Sequence, residues 1–428
     1  MAQRTVAVVG GGCSGVLITR ELLRSGDDRV ILIEPGEPGG GVAYGAARPW
    51  HLLNSRAGAM SADPDDPGHF ARWAGAAPEE FVSRRRYGDY LRSVFDPLPA
   101  DLVRARATGV SPDGVITLDR GAPIRADHVV LATGSPAGAR HTAEVDHPAY
   151  LADPWRPGAV EAIGGDVPVL LIGAGLTAVD VALTLTADGT RTAPVTAVSR
   201  RGQLPLSHTV AAAPPYAPAL DDCATLRDVV RAVRESAGHA EDWRAVVDGL
   251  RPYLDELWVA LTPAEQEAFL RHLARPWECH RHRMAPAVAA TIARLRADGM
   301  VQIRSGGLRS LAPAPGGGLL ADAGDGPQWF GAVVNCAGPG RLPGSAGPFL
   351  GDLLSTGQAR VGPHGLGLDI DALGRVRTAL GGVQERLWLV GPLRRGARWE
   401  TTAVPEIRAQ ARRLATDLGG SAALPVAA

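Results

Sequence analysis

The 428-residue chain contains no lysine; its 44 basic residues are all arginine. That absence excludes a Walker A phosphate loop, which needs a lysine to reach the terminal phosphates. It equally excludes Schiff-base chemistry on a lysine amine, pyridoxal phosphate enzymology included. Cysteine is scarce: Cys13, Cys223, Cys279 and Cys336 lie far apart and no CxxC occurs. A local redox dithiol and a structural zinc centre are therefore not expected, and no metal is assigned. A dominant charge sign is missing too. The net charge is −1 and the pI about 6.8, which advertises no basic surface for nucleic acid or anionic membrane. No apolar run reaches the roughly 18 residues of a membrane-crossing helix. Only a few polar residues precede the first apolar run. These features set the expectation of a cytoplasmic protein with no nucleic-acid or membrane partner.

What is present is glycine, 53 residues of it, and a hydrophobic fraction of 45%. That length and apolar content suit two or three domains rather than one core. Short apolar runs at 5–9, 29–33, 128–132, 168–172, 194–198 and 332–336 read as buried parallel strands. Helical patterns fill 14–25 and 176–187, so two βαβ units are expected. Each is followed much later by an apolar strand that stops at a small-residue turn, Thr133-Gly134 in one case and Ala337-Gly338-Pro339 in the other. This is the pattern of a duplicated architecture. The segment 220–298 has helical periodicity throughout and reads as an insertion into the second copy. The small apolar tail 420–428 is expected to fray.

Gly10-Gly11-Gly12-Cys13-Ser14-Gly15 fits GxGxxG between strand and helix. Gly10 permits the tight turn, Gly12 lets backbone approach a pyrophosphate, and Gly15 lets helix and strand pack closely. The helix N-terminus then offers amides and partial positive charge to phosphates. Glu34 ends the second strand, where a carboxylate accepts both ribose hydroxyls and repels a 2′-phosphate. The second loop, Gly173-Ala174-Gly175-Leu176-Thr177-Ala178, is GxGxxA, and its second strand ends differently, in Ser199-Arg200-Arg201. Guanidinium forks pair with a 2′-phosphate and stack on adenine. The economical reading is FAD at the first loop and NADPH at the second.

Longer motifs carry a family resemblance. They are GVAYGAARPWHLLNSRAGAMSADPDDPGHFARW at 41–73, RRRYGDYL at 84–91, ATGSP at 132–136, SRRG at 199–202, RPWECHRHRMAP at 275–286, NCAGP at 335–339 and GPLRRGARWETTAVPEIR at 391–408. With these, the chain resembles the two-dinucleotide-binding-domain flavoproteins. More narrowly, it resembles a bacterial FAD/NAD(P)-binding family related to N-hydroxylating flavin monooxygenases of the nitrosuccinate-forming aspartate N-hydroxylase type. The fold class implied is α/β, with two Rossmann-like domains for FAD and NADPH and a helical insertion in the second. The corresponding boundaries are 1–155 for the first part of the FAD domain, 156–340 for the NADPH domain with its insertion at about 220–298, and 341–428 for the C-terminal part of the FAD domain.

The resemblance further implies that Gly10, Gly12, Gly15 and Glu34 bind the FAD adenosine and pyrophosphate. His51, Leu52, Leu53 and Asn54 would line the flavin, and Thr133 and Gly134 would pass close to the FAD. Gly391 and Pro392 would reach its pyrophosphate–ribityl region. Thr401, Thr402 and Ala403 would begin a helix aimed at the flavin. A helix start there also has a physical rationale, because its partial positive charge stabilises a reduced flavin anion. Asn54, His51 and Trp399 are the side chains offered as catalytic candidates; Tyr44 and His208 are further substrate-contact candidates. Cys279-His280-Arg281-His282-Arg283 reads as a polar hinge, and Arg84-Arg85-Arg86 as a solvated helix start.

The function these features imply is an FAD-dependent, NADPH-oxidising monooxygenase. It would act on a small molecule with O2, most plausibly by N-hydroxylating an amine or amino acid. A flavin dehydrogenase, reductase or oxidase without oxygen transfer stays open, as do a non-catalytic FAD/NAD(P)-binding redox sensor and a homo-oligomeric state.

Overall fold

The computed structural model describes residues 3–139 and 145–420. The apolar tail 421–428 lies outside them.

Two units emerge, and the chain crosses between them repeatedly. The first comprises residues 1–47, 55–137 and 341–428; the second comprises 48–54 and 138–340. One crossing falls at 340/341. The strand Tyr150–Leu151, which precedes residue 155, pairs in parallel with Ala332–Asn335 in the second unit's sheet. That pairing draws the chain into the second unit from Gly138 onward.

The first unit is built on a six-stranded sheet. Its order is Arg375–Arg377, Val383–Leu389, His128–Leu131, Thr5–Val9, Arg29–Ile33, Asp101–Val103, and only the first strand runs antiparallel to its neighbour. Val6, Ala7, Val8, Val30, Leu32, Val129, Val130 and Leu131 are almost wholly buried, as contiguous apolar runs with both faces covered require. Each such Val, Leu or Ile contributes roughly 1.5–3 kcal/mol by burial.

The helix Cys13–Ser25 buries Val16, Leu17, Ile18 and Leu22 and packs against the helix Val404–Gly420. Glu21, 2% exposed, is carried inside with them. Its carboxylate accepts from Arg20, Arg24 and, at 3.4 Å, Arg412. A buried carboxylate held this way avoids the several kcal/mol cost of an unpaired charge.

The second unit holds a five-stranded, all-parallel sheet. Its order is Val301–Ser305, Val195–Ser199, Val169–Ile172, Ala332–Asn335, Tyr150–Leu151. The expected duplication is visible in its plan. In each unit the glycine-loop strand lies between the next strand of the βαβ unit and a late returning strand. Directly before that returning strand comes a three-stranded antiparallel sheet: Ala107–Val110, Val115–Leu118 and Ile124–Arg125 in one unit; Ser310–Pro313, Leu319–Asp322 and Pro327–Phe330 in the other.

The helical stretch divides in two. The helices from Leu226–His239 through Ala274–Arg281 form the insertion. The helix Pro286–Ala297 instead sets Ile292 and Leu295 into the sheet's own core and leads into Val301–Ser305. It is the crossover helix of a parallel sheet, so the insertion ends before the expected residue 298. Arg191, 6% exposed, braces the same unit by donating to the carbonyls of Leu185, Val167 and Gly164.

Candidate functional site: two glycine loops

In the first unit, the chain leaves Thr5–Val9 through Gly10, whose φ is +103° and whose amide donates to Ile33 O at 2.9 Å. A Cβ at Gly10 would stand 2.5 Å from Ala132 O, so both the turn and the adjacent strand demand glycine. At Gly15 a Cβ would collide with Gly10 O, which is the close helix–strand approach expected of the third glycine. Gly12 differs. The nearest protein atom to its Cβ would be Gly41 Cα at 3.7 Å, so the fold itself does not forbid a side chain there.

Glu34 accepts the Gly11 amide at 2.7 Å through Oε2 and the Gly36 amide at 2.9 Å through Oε1. A carboxylate has about four lone-pair sites, so two remain for ribose hydroxyls. Thr133 Oγ1 is buried without a hydrogen-bond partner, and the space beside Gly134, at φ +78°, is open. Gly391 donates its amide to Gln410 Oε1 at 2.9 Å, and Pro392 opens a short 3-10 turn, Pro392–Arg394.

Thr401 is fully buried, with Oγ1 3.4 Å from Pro392 O, while Thr402 is exposed. The helix begins at Val404, with Ala403 O accepting the Ile407 amide at 3.0 Å. Thr401 and Thr402 therefore precede the helix rather than belong to it. Pro405 then falls in the first turn, where its missing N–H is harmless.

One part of this loop region escaped the sequence reading. Gly39 donates its amide to Gly11 O at 2.8 Å, and Gly41, at φ +52°, would place a Cβ 3.2 Å from Gly12 Cα. The glycine run 39–41 is thus a second layer of bare backbone against the first loop, and three consecutive glycines were the available signal.

In the second unit, Gly173, at φ +115°, repeats the Gly10 turn, and a Cβ on it would run into Cys336 O. Gly175 caps the helix Leu176–Thr186 without any side-chain cap, and Thr177 and Ala178 follow in its first turn. Ser199 Oγ, at the end of the next strand, is buried and unpartnered. Arg200 and Arg201 are exposed, and Arg201 spends one N–H on His272 O at 3.1 Å. Arg275, which opens the RPWECHRHRMAP motif and carries no assigned role in the sequence, donates to Ala174 O at 2.9 Å and to Gln203 O.

Residues 48–54 belong to the second unit. His51, 3% exposed, accepts the Arg48 amide at Nδ1, which places its proton on Nε2; Nε2 lies 2.9 Å from Thr184 Oγ1 and 3.1 Å from Asp180 O. Asn54 O accepts from His208 Nε2 at 3.0 Å. Of the other candidates, Tyr44 rests edge-on against Tyr87, and Trp399 is buried beneath the Arg395 guanidinium, 4.4 Å from its ring centre.

Cys279 is buried, and His280 meets Trp243 edge-on while its Nδ1 lies 2.7 Å from Pro276 O. Among the described residues, no group of three or more His, Cys, Asp or Glu is placed to hold a metal. The helix Arg84–Phe95 begins at the arginine run and is capped by Ser83, which accepts from the Arg86 amide at 3.3 Å. Cys13, at the start of the first helix, has its thiol pushed up to about 12 by burial, so it is a poor nucleophile in the loop. All four cysteines are free thiols, and no helix of the described residues is long and apolar enough to cross a membrane.

Comparison with known proteins agrees with this architecture. Residues 7–136 match a family model described as FAD-NAD(P)-binding. A Baeyer-Villiger monooxygenase of Streptomyces coelicolor is 32% identical over 134 residues; the match covers 30% of this chain and 22% of that protein. Among solved structures, the FAD-bound cadaverine monooxygenase of the desferrioxamine pathway from Erwinia amylovora superposes with TM-score 0.68 at 12% identity, covering 99% of this chain and 96% of that one. The ornithine N-hydroxylase of Kutzneria sp. 744, in complex with reduced FAD, NADP+ and L-ornithine, gives 0.65 at 13%, covering 98% and 99%. The reduced form of the ornithine hydroxylase of Pseudomonas aeruginosa gives 0.62 at 14%, covering 98% and 99%. The fold is that of the two-domain flavin monooxygenases.

Proposed function

We propose that the protein is an FAD-dependent monooxygenase that oxidises NADPH and hydroxylates a small molecule, with the nitrogen of an amine or amino acid as the favoured target. The observation that carries this reading is the different closure of two like loops. One ends in the Glu34 carboxylate; the other ends in Ser199, Arg200 and Arg201. The N-hydroxylases among the superposed structures support the choice of nitrogen.

The first loop has the features FAD needs. Gly10 and Gly15 shape the turn, Gly12 carries no side chain at the position where a phosphate would approach, Glu34 retains free lone pairs for ribose, and Thr133 Oγ1 has an unused hydrogen-bonding capacity. Gly134, Gly391, Pro392, Thr401, Thr402 and Asn54 complete the proposed set. At the second loop, Gly173, Gly175 and Thr177 would receive the NADPH pyrophosphate, and Ser199, Arg200 and Arg201 its 2′-phosphate. NADPH held at Gly173, Gly175 and Ser199–Arg201 would bring reducing equivalents as hydride, and FAD held at Gly10–Gly15 and Glu34 would bring the redox and O2 chemistry. The chain's own share is to hold, orient and shield. The helix start after Ala403 contributes partial positive charge, and the free Ser199 hydroxyl and paired guanidiniums select the phosphorylated coenzyme.

The purified protein is expected to be yellow and to be bleached under nitrogen faster by NADPH than by NADH. In air, NADPH consumption should rise with the correct amine and yield one hydroxylated product per NADPH. A colourless protein that takes up no added flavin would refute the reading. Flavin reduction with no oxygenated product from any amine would move it to a dehydrogenase or oxidase.

A further inference from the structure

We infer that Arg275, at the start of the short helix Ala274–Arg281, is a binding residue of the second glycine loop that grips the coenzyme's pyrophosphate, independently of the 2′-phosphate. The inference rests on the NADPH reading above.

Arg275 reaches the loop across 101 residues of sequence. One terminal nitrogen, Nη2, donates to Ala174 O within the loop and to Gln203 O just beyond the second strand. The other, Nη1, stands 3.8 Å from the position of a Cβ on Gly175, the residue that caps the helix Leu176–Thr186. That is where the glycine motif and the helix N-terminus together receive a pyrophosphate.

The charge of this guanidinium is poorly compensated. Its Nη2 faces two neutral carbonyls, and the nearest carboxylate in ion-pair range, Glu278, is 4.0 Å from Nη1. The carbonyl bonds fix the plane of the fork, which leaves Nη1 pre-oriented toward the loop. With both Nη2 hydrogens spent on carbonyls, Nη1 is the group left to make a charge-assisted contact to a phosphate oxygen. Arg200 and Arg201 follow the next strand, at the position that reads the ribose. The division of labour is therefore testable: Arg275 acts on any dinucleotide, whereas Arg200 and Arg201 tell NADP from NAD.

The experiment is calorimetric titration of the purified holoprotein with NADP+ and, separately, NAD+, comparing wild type with Arg275→Gln, Arg275→Lys and the double variant Arg200→Gln/Arg201→Gln. Thermal melting is recorded for each. Arg275→Gln is expected to weaken both nucleotides by the same factor, on the order of 10- to 100-fold, and to leave their ratio unchanged. Arg275→Lys keeps the charge and should recover most of that loss. The Arg200/Arg201 variant should collapse the NADP+/NAD+ ratio.

Three results would overturn the proposal while leaving the NADPH reading intact. The first is unchanged affinity for both nucleotides in Arg275→Gln. The second is a loss confined to NADP+. The third is an Arg275→Lys variant as weak as Arg275→Gln with an equally lowered melting temperature, which would reduce Arg275 to a latch between Ala174 and Gln203. A wild-type protein that binds neither nucleotide would overturn the inference and the reading beneath it together.

Discussion

The carboxylate of Glu34 is tied to the first glycine loop by the Gly11 amide, 2.7 Å from Oε2, before any ligand is considered. Glu34 therefore fixes the loop and, in the proposed function, would present its remaining lone pairs to a ribose. Glu34→Gln keeps one acceptor but loses the charge and half of the acceptor capacity. It should weaken FAD by roughly 10- to 100-fold, or about 1.4–2.8 kcal/mol. The ratio of flavin to protein absorbance after dialysis, followed by titration with added FAD, measures this directly. Occupancy equal to wild type would show that the carboxylate serves the loop alone.

Gly12 and Gly15 separate the two meanings a glycine can have. At Gly15 a Cβ collides with the backbone oxygen of Gly10, which neighbouring strands hold in place. Gly15→Ala should cost more than about 3 kcal/mol and lower the yield of folded protein. At Gly12 the same methyl meets nothing closer than 3.7 Å. Gly12→Ala should melt within about 1 kcal/mol of wild type, the usual difference between Gly and Ala at a helix cap, yet come off the column without flavin. Melting curves and flavin content on the same samples test both halves. A flavin-replete Gly12→Ala protein would show that no ligand approaches that backbone.

The contrast between those two glycines also explains what the sequence made legible. The glycine loops, Glu34 and the six runs of contiguous valine, isoleucine and leucine could be read because buried parallel strands need both faces apolar. Val301–Ser305 and Val383–Leu389 could not, since VQIRS and VQERLWL mix Gln, Arg and Glu into strands that each pair as part of a parallel ladder. Periodicity alone places the helix Pro286–Ala297 with the insertion, because it says nothing about which core a helix faces. The hold of Arg275 on Ala174 was hidden for a different reason: it joins two segments whose only relation is spatial. The last helix starts at Val404, a few residues after Thr401, which looks like a cap in sequence but is buried near Pro392 O.

His128 and Trp388 give the first unit a pH dependence. His128, 2% exposed, lies on the sheet with its Nδ1 accepting the indole N–H of Trp388 at 3.2 Å. Burial, reinforced by the nearby Arg4 charge, lowers its pKa to about 4, against roughly 6.5 in an unfolded chain. Between those values the unfolded chain binds a proton that the folded one refuses. Stability is thus fully present above pH 6.5 and is lost as pH falls toward 4, by at most about 3 kcal/mol. Urea midpoints at pH 7.5 and pH 5 should differ more for wild type than for His128→Asn. Equal slopes would place the acid sensitivity elsewhere.

His51, a catalytic candidate by sequence, has both ring nitrogens engaged within the second unit. Nδ1 takes the Arg48 amide, and Nε2 reaches Thr184 Oγ1 and Asp180 O on the helix that follows the second glycine loop. An imidazole so placed fastens the segment 48–54 to that helix, and it can neither give up its Nε2 proton nor take one at Nδ1 without breaking a bond. His51→Leu should therefore lower the melting temperature, by about 1–3 kcal/mol of stability from the lost buried hydrogen bonds, while the pH profile of kcat/KM keeps its wild-type shape. The matching variant Thr184→Val should show a smaller loss of the same kind. If His51→Leu instead melts like wild type but loses one limb of the pH profile, the imidazole carries a proton in the reaction and its bonds to the helix are incidental.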